Sequence, residues 1–238
     1  MTSTILTPHT VSSYDAALHE LRTVVSQMGA LAESQLTAAL DALVERDVAG
    51  ALGVVALDHR LDRLQEEAEL SATTIFSRYS PLADDLREVM ASLKIAGWLE
   101  RVGDYAKNIA KRASTLAELP DAEGSAQLYE LSSLAKHLLR TALAAYLDRD
   151  ADLAREAVHG DAAVDAEYNR VFQSLISLTE ADGRSAAGFV HLQFIAKNLE
   201  RIADQATNIA EQVEFAITGE PVAGREKGDT SALGVGEV

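Results

Sequence analysis

Residues 95–110 read IAGWLERVGDYAKNIA, and residues 195–210 read IAKNLERIADQATNIA. At this offset of 100, Glu, Arg, Asp, Asn, Ile and Ala recur in register. Amphipathic helices share apolar spacing easily, but nothing obliges them to share Glu-Arg-x-x-Asp-x-x-x-Asn-Ile-Ala, so the match marks an internal repeat. A second match lies upstream at an offset of 103, where Arg46-Asp47, Asp58 and Asp62 align with Arg149-Asp150, Asp161 and Asp165. The three-residue difference has to be absorbed between the second and third helices of one repeat. The junction of the two copies falls near Pro120.

Inside the quoted stretch the apolar positions choose the secondary structure. Ile95, Leu99, Val102, Ala106, Ile109 and Ala113 alternate spacings of four and three, a helical seam and not a strand alternation. Val54, Leu57, Leu61, Leu64 and Ala68 repeat that spacing earlier. Prolines stand only at 8, 81, 120 and 221, and the long intervals between them are rich in good helix formers. Six helices are predicted, near 14–46, 49–79, 82–117, 123–148, 151–180 and 184–217. Ser80-Pro81 reads as an N-cap with proline in the first helical position, and Ser185 after Asp182-Gly183 as the matching start of the sixth helix. The expected fold is all-α, two pseudo-symmetric three-helix bundles. An N-terminal tail spans 1–13, the repeats span 14–119 and 120–218, and the glycine-rich stretch 219–238 is expected to be disordered.

Composition narrows the function. The 238 residues carry 21 Lys+Arg against 37 Asp+Glu, a formal charge of −16 that argues against a phosphate-backbone binder and so against nucleic acid. It favours cations and basic partner surfaces. With no cysteine there is no disulfide, thiolate metal site or Cys nucleophile. No apolar run is long enough to span a bilayer, so no membrane insertion is expected. MTSTILTPHTVS at the start has neither the basic nor the apolar region of a secretory signal, which makes the cytoplasm the expected location.

At about 100° per residue, Glu100, Asp104 and Asn108 stack opposite the seam of the third helix, on its outer face. Glu200, Asp204 and Asn208 do the same in the sixth. Acidic residues at i and i+4 repel one another, a cost that a neutral surface has no reason to repeat in both halves. In an antiparallel hairpin, residues at equal height share an index sum. Asp58 with Asp104 and Asp62 with Glu100 both give 162, centred on Pro81. Asp161 with Asp204 and Asp165 with Glu200 both give 365, centred on Asp182-Gly183. Each repeat thus gathers four carboxylates in the groove between two helices, with an Asn amide in support. These are hard oxygen donors, suited to a divalent or trivalent ion such as Mg, Mn, Ca, Fe or Zn, and they do not choose among these.

Other candidates are weaker. Glu156 and His159 form one Glu-x-x-His, but the di-iron architecture needs two, with two further Glu. Neither a phosphate-binding glycine loop nor a nucleophile elbow is present. Arg101 and Arg201 are expected to pair with nearby carboxylates, and Trp98 to pack at a helix interface.

The segment SPLADDLREVMASLKIAGWLERVGDYAKNIAK (80–111), its second copy VHLQFIAKNLERIADQATNIAEQV (190–213) and the closing FAITGEP resemble the PhoU family, accessory regulators of the phosphate-specific transport system. The resemblance covers roughly residues 14–220. It implies paired three-helix bundles with metal sites at the Glu-x-x-x-Asp motifs, on Glu100, Asp104, Glu200 and Asp204, supported by Asp58, Asp62, Asp161 and Asp165. It also implies a cytoplasmic, non-enzymatic negative regulator linking the ATPase subunit of the phosphate ABC transporter to a PhoR-type sensor histidine kinase. A homodimer fits the resemblance; the sequence does not fix the oligomeric state. Gly97-Trp98 departs from the polar or acidic residue common there and predicts unequal metal sites. A metal-dependent enzyme or metal-storage bundle built on the same carboxylates stays open as the alternative.

Overall fold

A computed structural model of the chain describes residues 8–119, 125–181 and 186–220. Among them there is no strand. The helices are α1 (Pro8–Glu45), α2 (Val48–Leu57), α3 (His59–Tyr79), α4 (Asp84–Glu118), α5 (Leu128–Asp148), α6 (Ala151–Ala181) and α7 (Ala186–Thr218), with a 3-10 turn at Ser125–Gln127 before α5. α1 is described from Pro8, six residues before the expected start. The junction at Pro120, the Asp182-Gly183 turn, Ser185 and residues 221–238 lie outside the described residues.

The expected second helix is broken in two. At Asp58 the ladder tightens, and the Leu61 amide donates to the Asp58 carbonyl at 3.0 Å, three residues back. That break shifts the phase of the seam. Val54 and Leu61 are buried, but Leu57, expected between them, is 39% exposed.

Both repeats turn between their first two helices in the same way. Arg46 and Arg149 adopt left-handed conformations, with φ of 56° and 53°. Each next residue, Asp47 or Asp150, donates its amide back to Ala42 or Ala145 at 3.0 Å, which closes the preceding helix. The same aspartates then open the next helix. Asp47 Oδ1 accepts from the Ala49 amide at 3.0 Å, and Asp150 Oδ1 from the amides of Asp152 and Leu153 at 2.8 and 3.1 Å. The arginine side chains part company. Arg46 reaches the carbonyls of Leu116, Ala117 and Leu119 at the end of α4. Arg149 instead bonds buried Glu88 of α4, which Arg22 of α1 also holds.

The turn from α3 to α4 differs from expectation. Ser80 is the C-cap of α3, left-handed at φ 48°, and α4 starts only at Asp84. Pro81 cannot continue α3, so the chain leaves the helix there. Asp84 and Asp85, not proline, occupy the first turn of α4, where negative charge suits the helix dipole.

α4 and α7 form the spine. The seam residues Ile95, Leu99, Val102, Ala106, Ile109 and Ala113 are all buried. The burial pattern along residues 92–104 recurs position for position along 192–204. The two helices cross antiparallel. Lys94 Nζ donates to Gln212 at 3.0 Å, and Arg112 stacks on Phe194 at 4.4 Å, positions that the repeat makes equivalent. α1, α2 and α3 pack against α4, α5 and α6 against α7, and α1 meets α5. A Cβ on Gly29 of α1 would stand 2.7 Å from Leu143 Cδ2 of α5, so glycine is what lets the halves close at that point.

Candidate functional site

The first carboxylate group depends on how closely α3 approaches α4. A Cβ on Gly103 would fall 2.2 Å from Leu61 Cδ1, so the missing side chain admits Leu61 against α4. With Leu61 seated, Asp58 and Asp62 on either side of it face Glu100 and Asp104. Lys107 lies within the group, its Nζ donating to Asp58 Oδ2 at 2.6 Å and to Asp104 Oδ1 at 2.5 Å. Burial alone would lower the lysine's pKa, but its hydrogen bonds to Asp104 and Asp58 outweigh this and raise it. Glu100 is pushed up, first by burial and then by Asp104, Asp62 and Asp58. The four residues with matching index sums therefore form one electrostatic cluster.

In the second half Lys197 Nζ donates to Glu200 Oε1 at 2.8 Å, and Thr207 Oγ1 to Asp161 Oδ1 at 3.0 Å. Burial raises the Glu200 pKa; the Lys197 hydrogen bond opposes this, and Asp204 and Asp165 add to the rise. Glu200 Oε2 is buried with no hydrogen-bond partner. A buried acceptor lacking a donor suits a positive ligand.

Glu100, Asp104, Glu200 and Asp204 do not lie on an outer face. All four are half-buried, because α3 and α6 lean over the flanks of α4 and α7 and roof the stripe into a groove. Asn108 stays exposed and Asn208 is half-buried. The two lysines escape a reading of the repeat because they are not equivalent. Position 207 is threonine where 107 is lysine, and position 97 is glycine where 197 is lysine. Their i, i+3 spacing, 104 to 107 and 197 to 200, is the signal that reveals them.

As the side chains stand, no three acidic or imidazole residues among those described gather tightly enough to hold an ion. An ammonium takes that role in each half. The donors still fit a hard cation, since they are carboxylate oxygens in a half-buried groove and one of them is orphaned. Binding would require Lys107 or Lys197 to swing away.

The remaining candidates resolve simply. Trp98 packs half-buried against the core, as expected. Arg201 lies over the Tyr105 ring at 5.9 Å, and Arg101 is exposed. His159 spends its Nδ1 on the Arg155 carbonyl of its own helix.

A PhoU domain model matches the chain twice, at residues 25–113 and 128–213, once in each half. A phosphate-specific transport system accessory protein PhoU homolog from Zymomonas mobilis is 42% identical over 220 residues, 92% of this chain and 93% of the relative. Its counterpart from Caulobacter vibrioides is 43% identical over 216 residues, 90% and 94% of the two chains. Among solved structures, PhoU from Pseudomonas aeruginosa superposes with a TM-score of 0.85 at 31% identity, over 87% of this chain and 100% of that one. The phosphate transport system regulatory protein PhoU from Streptococcus pneumoniae gives 0.82 at 30% identity, over 88% and 99%. With both halves matched and curated relatives alike over nine-tenths or more of both chains, the chain belongs to the PhoU family.

Proposed function

We propose that the chain is a non-enzymatic negative regulator of phosphate uptake and of the phosphate-starvation response. It acts in the cytoplasm by docking on the ATPase subunit of a phosphate ABC transporter and on a PhoR-type sensor kinase. The observation that carries this reading is the match, over nine-tenths of both chains, to proteins named as accessories of the phosphate-specific transport system. The physics agrees with it. A formal charge of −16 steers the protein toward basic partner surfaces, and two long bundles offer the area for docking.

Glu100, Asp104, Asp58 and Asp62 would hold a metal in the first half, and Glu200, Asp204, Asp161 and Asp165 in the second, with Asn108 and Asn208 in support. A bound cation would supply charge neutralisation, not bond making. Lys107 and Lys197 provide part of that neutralisation already, so the carboxylates exchange one positive partner for another. Such an exchange changes the charge and stiffness of the groove, and it biases docking by linkage.

A deletion strain carrying a phosphate-responsive reporter tests the proposal. Deletion should leave the reporter on in phosphate-rich medium, and the wild-type gene should restore repression. A reporter that stays repressed in the deletion refutes the regulatory reading. Repression restored equally by a Glu100→Ala/Asp104→Ala/Glu200→Ala/Asp204→Ala variant removes the metal from it.

A further inference from the structure

Each half has two positions from which an ammonium can reach its carboxylates. One is 107, or 207 in the second half; the other is 97, or 197. The second half occupies both. Lys197 donates to Glu200 at 2.8 Å, with its Nζ 5.2 Å from the centre of the Tyr168 ring, and buried Thr207 closes the other position on Asp161. The first half occupies one. Lys107 serves Asp58 and Asp104, and position 97 is glycine. Among the described residues no lysine or arginine pairs with Glu100.

A Cβ on Gly97 would meet nothing within 4 Å. The space beside it is a groove of about 450 Å³ between α3 and α4, lined by Gln65, Leu93, Lys94, Trp98, Glu100 and Arg101. Gln65 stands where the second half has Tyr168, and its amide is turned onto Glu69 at 3.1 Å.

The lining states what would fit. Leu93 and Trp98 offer apolar walls to an alkyl stem, and the bare backbone at Gly97 lets that stem come close to α4. The Trp98 ring favours a cation, as the Tyr168 ring does for Lys197. Glu100 is the acceptor at the end, where an ammonium makes a charge-assisted hydrogen bond. The two cations of the groove do not bar a third. Lys94 directs its Nζ to Gln212 of α7 at 3.0 Å. Arg101 has the position of Arg201, which stands one turn from Lys197 in the second half.

We infer that the groove beside Gly97 binds a lysine side chain of a partner protein, its stem along Leu93 and Trp98 and its ammonium on Glu100, in the place that Lys197 takes in the other half. That a protein carries the lysine rests on the docking role proposed above and on the formal charge of −16, which draws basic surfaces. The slot itself rests only on the difference between the halves.

Trp98 is the sole tryptophan, so its fluorescence reports on the groove in the full chain. In chelator, at neutral pH and constant ionic strength, n-butylamine should shift the emission with half-saturation at roughly 1–10 mM. This amine is the lysine side chain without its backbone. N-acetyl-lysine amide should act alike, and tetramethylammonium, which has no N–H to donate, should not. Glu100→Gln and Gly97→Lys should each weaken the response by about tenfold or more, with native helix content by circular dichroism. Asp41→Asn, which removes an exposed charge elsewhere, should leave it unchanged. An equal response to tetramethylammonium, or one that survives in Glu100→Gln, overturns the slot. A response to n-butylamine with none to N-acetyl-lysine amide assigns the slot to free amines and overturns the partner lysine. In the reporter strain, Gly97→Lys should fail to restore the repression that Gly97→Ala restores. Equal repression by both also overturns the partner lysine, whereas a reporter that stays repressed in the deletion counts against regulation itself.

Discussion

Replacing Lys107 with methionine keeps most of the side-chain stem and removes the ammonium that sits between Asp58 and Asp104. Lys107 is 21% exposed, Asp58 22% and Asp104 43%, so its two ion pairs are partly screened and count for less than fully buried ones. Together they should be worth about 1–2 kcal/mol, and the repulsion uncovered among four carboxylates adds a few tenths. At about 2–4 °C per kcal/mol in a chain of this size, metal-free Lys107→Met should melt roughly 2–9 °C below wild type. Its affinity for a divalent cation should move the other way. No ammonium has to be displaced, and a gain of about tenfold, or ~1.4 kcal/mol, is expected. Thermal unfolding followed by circular dichroism in chelator, then with titrated Mn²⁺, measures both effects, and calorimetry gives the affinity directly. Lys107→Met that melts no lower than wild type in chelator, or binds Mn²⁺ no more tightly, refutes the idea that the lysine holds the cation's place.

Glu200→Gln tests the second group through pH. Burial raises the folded-state pKa of Glu200, so the stability linked to this group is present below the ordinary carboxylate range and lost as pH rises through its folded value. The metal-free variant should therefore lose less stability than wild type over that rise, read from denaturant midpoints across pH. Asp150→Ala removes the acceptor for two amides at the start of α6 and should cost about 1 kcal/mol in urea unfolding, with circular dichroism at neutral pH still showing the native helix content. Ile109→Ala empties a fully buried position on the spine and should cost about 2–5 kcal/mol by the same measurement.

What could be read in advance was whatever the repeat wrote twice. The α4 seam is buried residue for residue, and the index sums drew Asp58 and Asp62 toward Asp104 and Glu100 as the electrostatics now shows. Features present in only one copy were not legible in this way. Lys107 and Lys197 have no counterparts a hundred positions away, so an alignment of the halves passes over them. Leu57 fits the apolar spacing, yet it is exposed at the break between α2 and α3 at Asp58, where the regular helical count no longer holds. Ser80-Pro81 carries the residue types of a helix start, but the same pair serves equally to end a helix, and the α3 C-cap takes it.

Arg46 and Arg149 occupy one position in two copies of a turn, and their side chains have gone separate ways. The first closes a helix within its own half. The second crosses to Glu88 and, with Arg22, fastens α5 and its neighbours to the front of the molecule. The halves have ceased to be interchangeable parts. A chain assembled from two first halves would offer a second Glu88 with no Arg149 to meet it, and one assembled from two second halves would carry Arg149 with no Glu88. The ancestral symmetry survives in the helices, but the working unit is the unequal pair.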